Sequence, residues 1–230
     1  MIKMNSKDLS QFLRKQWGLD SYNPINILNE SLENLKNLTI VWMPLKTKIK
    51  GCCSKNEQDY LIILNSKQDI GSQNFTMAHE LYHLLFEDSE EWIICSDDNN
   101  TESERNANIF ASHLLLPEAS LLDYARKHDI DKWKIEDMIS CEQYFQISHE
   151  TLIYRLKKSQ MPFDSMKCKD IALKSKQLGY SSQLYSPSSE SYYSLGNYIL
   201  LTEKLYSEEK FSSGKKAELL KSVFRSDLLD

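Results

Sequence analysis

The segment Phe75-Thr-Met-Ala-His-Glu-Leu-Tyr-His83 constrains the fold of this chain more than any other. His79 and His83 are four residues apart, so on an α-helix they stand one turn apart on the same face. Phe75, Ala78, Leu81, Leu84 and Leu85 make that helix apolar around much of its circumference, which places it in the interior. Two imidazoles with a carboxylate, Glu80, between them are costly there without partners. A zinc ion removes the cost, because both rings can reach it at about 2.0–2.1 Å. Glu80 then lies where its carboxylate can take a proton from a water whose pKa the metal lowers toward ~7. The bland alternative is a surface helix with two solvated histidines. It fits the apolar flanks poorly, and the whole chain holds only five histidines.

A catalytic zinc takes three protein ligands and leaves a fourth position for water. The best candidate for the third is Glu104, in Glu104-Arg-Asn-Ala-Asn-Ile-Phe-Ala-Ser-His-Leu-Leu-Leu-Pro117. At helical spacing Glu104, Ala107, Phe110, Ala111 and Leu114 share one face, so the apolar members carry Glu104 inward. Thr101-Glu-Ser-Glu104 also reads as a capping box, in which Glu104 only bonds back to the cap. Asn108, one turn on, is placed either to orient a ligating histidine or to satisfy buried backbone. His113 falls off the stripe and reads as a surface residue, and His128 and His149 lack ligand spacing.

Around these motifs the pattern predicts an α+β chain. A first helix capped by Ser6 carries Leu9, Phe12, Leu13 and Trp17 on one stripe, and a second covers residues 25–35. Residues 38–43, 49–53 and 60–64 read as strands of a small, mostly antiparallel sheet, the last two joined as a hairpin. After Gly71 the chain turns helical, with helices over residues 73–86 and 102–115. A third starts at Pro117-Glu118 and buries Leu121, Leu122 and Ala125; others cover 132–144 and 149–158. Residues 181–194, rich in serine and tyrosine, read as a loop before two final helices over 198–208 and 214–229. The last carries Ala217, Leu220, Phe224 and Leu228 on one stripe. The expected division is a metallopeptidase core over residues 1–130, a helical unit over 131–160 and a helical extension over 161–230.

Composition excludes several classes. The 27% charged and 41% hydrophobic content of the 230 residues suits an ordinary globular protein. Five cysteines, an odd number with no C-x-x-C spacing, argue against a disulfide framework or a cysteine zinc ribbon. Cys52 and Cys53 are adjacent on a strand and point to opposite faces, which disfavours joint metal binding. No apolar run is long enough for export or for a membrane span, so the expectation is a cytoplasmic protein with no membrane partner. A net charge of −5 disfavours nonspecific nucleic-acid binding.

The two motifs together resemble the ImmA/IrrE family of metallo-endopeptidases. The carrying residues are Asn74-Phe-Thr-Met-Ala-His-Glu-Leu-Tyr-His83 and Glu104-x-x-Ala-Asn-x-Phe-Ala-x-x-Leu-Leu-Leu-Pro117, and the resemblance spans roughly residues 5–160. It implies a zincin-like core in which His79, His83 and Glu104 bind Zn2+ and Glu80 is the general base. It also implies a protein substrate: a helix-turn-helix repressor, or an antitoxin-like partner in a phage, mobile-element or stress-response circuit. Tyr82 departs from the glycine usual in the family, and Leu116 replaces a methionine, a volume-conserving swap. Residues 142–157 resemble the family's helix-turn-helix-like unit. They read either as DNA recognition through Arg155, Lys157 and Lys158 or, preferred here, as a packing module. The rival from another class is a regulatory protein that binds DNA or a repressor and keeps a structural or vestigial metal site. Tyr82, Tyr154 and Arg155 are the candidate oxyanion stabilisers.

Overall fold

β-branched and aromatic residues at Leu38–Met43 and the apolar run Tyr60–Asn65 form two central strands, β1 and β3, which pair in parallel. Leu38, Ile40, Ile62 and Leu64 are fully buried at their centre. The structure, a computed structural model, describes residues 4–46, 48–88, 92–96 and 101–229, and the side chains of all these but 168 and 169. Residues 1–3, part of the expectation of no export segment, and the Cys168 thiol lie outside that set.

Strand β2 (Ile49–Lys55) forms the expected hairpin with β3, and two further strands complete a five-stranded sheet of order β4-β2-β3-β1-β5. These are β4 (Ile93–Ser96), antiparallel to β2 with a register irregularity between Ile49 and Gly51, and β5 (Tyr193–Gly196), antiparallel to β1. Every pairing but β1·β3 is antiparallel, so the mixed α+β architecture holds, with a larger sheet than the three strands expected. Both added strands have four residues, too few for a period-2 pattern to register. β5 also corrects the reading of residues 181–194 as loop, since Tyr193 and Ser194 pair with Trp42 and Val41.

The helices are α1 (Ser6–Gln16), α2 (Ile27–Asn34), α3 (Ile70–Phe86), α4 (Glu102–Leu115), α5 (Glu118–Lys127), α6 (Ile135–Phe145), α7 (His149–Lys158), α8 (Cys168–Gln177), α9 (Asn197–Ser207) and α10 (Ser213–Ser222). α3 lies against β2 and β3, α4 packs on α3, and α1 packs on α4. Ala107 and Ala111 are fully buried, and their small side chains let α4 lie close to its neighbours. Asp69 caps α3, accepting from the Ser72 N–H at 2.7 Å, so the helix starts before Gly71 and not after it. Gly71 has a packing reason: a Cβ there would meet the backbone N and Cα of Ser148 at 2.8 Å. Asn5, not Ser6, caps α1, and Phe12 is exposed while Leu13 is buried. Leu122 likewise faces solvent, and Tyr124 takes the expected inward place beside Leu121 and Ala125. The final helix ends at Ser222, ahead of Phe224, whose φ of 62° is left-handed. α8 lies in a stretch for which no element is expected from sequence.

Two buried polar clusters overturn the bland readings of His149 and His113. His149 Nδ1 lies 2.6 Å from Glu142 Oε1, and the Tyr185 hydroxyl donates to Glu142 Oε2 at 2.7 Å, tying α6, α7 and the segment after α8. His113, half-buried, receives an Arg155 N–H at 2.6 Å, while Arg155 also pairs with Glu118 at 2.8 Å. Burial, with Arg155 beside it, lowers the His113 pKa to about 4, so the ring is the neutral acceptor. No helix among the described residues is long and apolar enough to cross a membrane.

Arg14 anchors α1. Its buried guanidinium donates to the carbonyls of Asp20 (2.8 Å), Asn23 (2.6 Å) and Leu114 (2.7 Å), the last at the carboxyl end of α4. Arg14→Met keeps the stem but leaves three carbonyls without their donor. The expected loss in urea unfolding is about 2–4 kcal/mol, with the slope m unchanged.

Candidate metal centre

Helix α3 brings His79, Glu80 and His83 into the interior because eleven of its residues, spread around the helix, are buried. His79 is 5% exposed, His83 1% and Glu80 0%. Helix α4 brings Glu104, 6% exposed, to the same point: Glu104 Oε2 lies 3.1 Å from His79 Nε2, and Oε1 lies 3.9 Å from His83 Nε2. The Glu104 carboxylate faces the histidines, as the ligand reading expects, and α4 carries only the Thr101 half of a capping box. In that half the Glu104 backbone N–H donates to the Thr101 cap at 3.2 Å.

The hydrogen bonds outside the cluster fix the ring tautomers. His79 Nδ1 donates to Asn108 Oδ1 at 3.0 Å, and His83 Nδ1 donates to Glu87 Oε2 at 2.8 Å. Each Nε2 therefore turns a lone pair inward, and the two nitrogens stand 3.1 Å apart with the Glu104 carboxylate beside them. Lone pairs converging in this way repel unless a cation sits among them, and histidine–acceptor pairs of this kind are what orient metal ligands. Burial lowers the His83 pKa, keeping the ring neutral despite Glu87. Burial alone would raise the Glu104 pKa, but the polar neighbours that face it bring it below the ordinary carboxyl value. Asn108 itself is exposed, so the alternative of a buried amide satisfying backbone does not apply.

Sequence reasoning missed two members. Glu87 caps the carboxyl end of α3 one turn past His83, and Ser103 Oγ donates to its other oxygen. The four-residue spacing from His83 was its available signal. Cys95 on β4 is the other: its sulfur and the ligand atoms of His79, His83 and Glu104 all lie within 4.8 Å of one another. Nothing in the spacing of Cys95 distinguishes it from the other thiols.

Glu80 faces β2 and β4. Neither of its oxygens has an N–H or O–H partner among the described residues, and only the weakly donating thiols of Cys53 and Cys95 approach them. Burial raises its pKa to about 7. Gly51 makes the room: a Cβ there would stand 2.7 Å from Thr76 Cγ2 and 2.9 Å from Glu80 Oε1. A cleft of about 140 Å³ opens onto the cluster, lined by Lys50, Phe75, Thr76, His79, Cys95, Ser96, Glu104 and Asn108. Beside it a second, of about 290 Å³, shares Lys50, Phe75, Thr76 and Asn108 and adds Glu150, Thr151 and Tyr154. A larger cavity of about 480 Å³ beside α5 and α6 includes none of His79, His83, Glu80 and Glu104 in its lining, so the chemistry belongs to the smaller cleft.

Of the three candidate oxyanion stabilisers, Tyr82 turns its ring onto Phe86 and Phe110, and Arg155 is committed to Glu118 and His113. Tyr154 alone lines the adjoining cleft. Comparison with known proteins gives one family: a profile described as the IrrE N-terminal-like domain, a peptidase family, matches residues 36–157, more than half of the 230 residues. Comparison with curated proteins returns no match.

Two outcomes are expected. Glu87→Ala weakens metal binding roughly 10–100-fold while leaving all three first ligands in place, measured by competition with a chelating dye. In metal-free protein, Glu80 holds its proton up to about pH 7 when folded but releases it near 4.5 when unfolded. Wild-type stability therefore falls as pH rises from 4.5 to 7 and stays low above it. Glu80→Gln removes that slope, a difference on the order of 3 kcal/mol at pH 8, read by denaturant titration in chelator.

Proposed function

The chain belongs to the IrrE N-terminal-like family of peptidases, and from that membership we propose that it is a zinc-dependent endopeptidase with His79, His83 and Glu104 as ligands and Glu80 as general base. The observation that carries the reading is the set of inward lone pairs from two tautomer-fixed histidines and one carboxylate. Two nitrogens and a carboxylate oxygen suit zinc among the common divalent ions. Bound there, the ion would polarise the scissile carbonyl and lower the pKa of an attacking water.

The side chains of the protein do the rest. Glu80, poised near neutrality, takes the proton of the attacking water and passes it to the leaving amine. Asn108 and Glu87 hold the two rings so that Nε2 faces inward. Tyr154 is the best placed of the candidate donors to the developing oxyanion. An extended substrate segment adds to the outer edge of β4, which pairs with no other strand among the described residues; there Cys95 and Ser96 border the cleft and main-chain hydrogen bonds set its register.

A helix-turn-helix repressor or an antitoxin-like partner is the substrate class that the family resemblance supports, with the cytoplasm as the working compartment. The regulatory DNA-binding alternative fares less well, because Arg155, the basic residue at the centre of α7, is buried and spoken for. Residues 131–160 serve instead as a brace, with Ser148 seated against Gly71 of α3.

Co-expression with a neighbouring repressor-like protein tests the reading. Wild type is expected to cut it, and Glu80→Gln to reduce cleavage by at least about 10²-fold, the usual scale for losing a general base. Glu104→Ala is expected to lose bound zinc by elemental analysis. Cleavage undiminished in Glu80→Gln would end the assignment.

A further inference from the structure

We propose that Cys95 is a fourth protein ligand that closes the metal site and holds the peptidase latent until its sulfur is displaced. The proposal rests on the zinc-peptidase reading above and concerns the regulation of that same site.

The position of the thiol carries it. Cys95 is 3% exposed, and its sulfur completes a set of four ligand atoms within 4.8 Å of one another. It also lies near enough to Glu80 and Glu104 to feel both carboxylates. A group among the ligands and beside the general base occupies the side of the site from which a water would approach. Glu80 is the independent witness: it is fully buried, aimed at this point, and neither oxygen has an N–H or O–H partner among the described residues. Four protein ligands including a thiolate make a closed tetrahedral site, whereas a hydrolytic site keeps one position open.

β4 supplies the means of release. It is a four-residue edge strand, hydrogen-bonded on one side to β2 across a register irregularity, with Cys95 opposite Gly51. A substrate strand that pairs with its outer edge pulls on the element that carries the sulfur. The proton balance closes within the site. Binding of the sulfur would break its S–H bond and pass the proton to Glu80. Its release would return that proton and leave room for a water beside Glu80.

The test uses the full chain as wild type, Cys95→Ser, Cys95→Ala and Cys53→Ser, loaded with Co2+ and with Zn2+. Wild type and Cys53→Ser are expected to show a near-ultraviolet sulfur-to-cobalt charge-transfer band that both Cys95 variants lack, with about one metal per chain in all four. Alkylation of Cys95 is expected to slow when metal is bound, and Cys95→Ala to cut at least about tenfold faster, a barrier lower by about 1.4 kcal/mol. One metal per chain in wild type without the band would overturn the proposal and leave the peptidase reading standing. A band with no gain in Cys95→Ala turnover would overturn the latency. Absence of bound metal in every variant would sink both.

Discussion

Two neutral imidazoles cannot rest with their lone pairs 3.1 Å apart beside a carboxylate unless something else compels them. The compulsion comes from outside the cluster. Asn108 and Glu87 draw the opposite edges of the rings outward, and α4 lies close enough to α3, through Ala107 and Ala111, to bring Glu104 in. β2 closes the floor with a glycine where any side chain would strike Glu80. Sheet, central helix and second helix each supply one part of a site that none holds alone. The repulsion they store is the driving force for cation binding.

The part of this arrangement legible in the sequence is the part encoded at helical spacing. His79, Glu80 and His83 declare themselves at i, i+1 and i+4, and the stripe from Glu104 to Leu114 declares its direction. What escapes notice is encoded by pairing across the chain. Cys95 joins the cluster only because β4 lies beside β2, and a four-residue strand has no period to read. His113 and His149 look incidental because the residues that bury them, Arg155 and Glu142, meet them only after the helices pack. Gly71 resembles a turn in sequence, yet it sits inside a helix where Ser148 leaves no space for a Cβ.

The α6–α7 pair shows the same economy. Of the three basic residues in its second helix, Arg155 turns inward, while Lys157 and Lys158 stay exposed. Leu152, Arg155 and Leu156 are fully buried, and Glu142, itself fully buried, is satisfied by His149 and Tyr185. One side of α7 instead presents Glu150, Thr151 and Tyr154 to the cavity beside the metal cleft.

The pairing of β5 with β1 couples distant parts of the sequence in time as well as in space. Thr39 meets Gly196, a residue 157 positions further along. During synthesis the edge of β1 that β5 will cover therefore stays bare until residues 193–196 have emerged. Contacts of such separation form late, and an unpaired strand edge is a template for association with other nascent chains. A product clipped before residue 193 would keep its histidines and carboxylates and still be prone to aggregate.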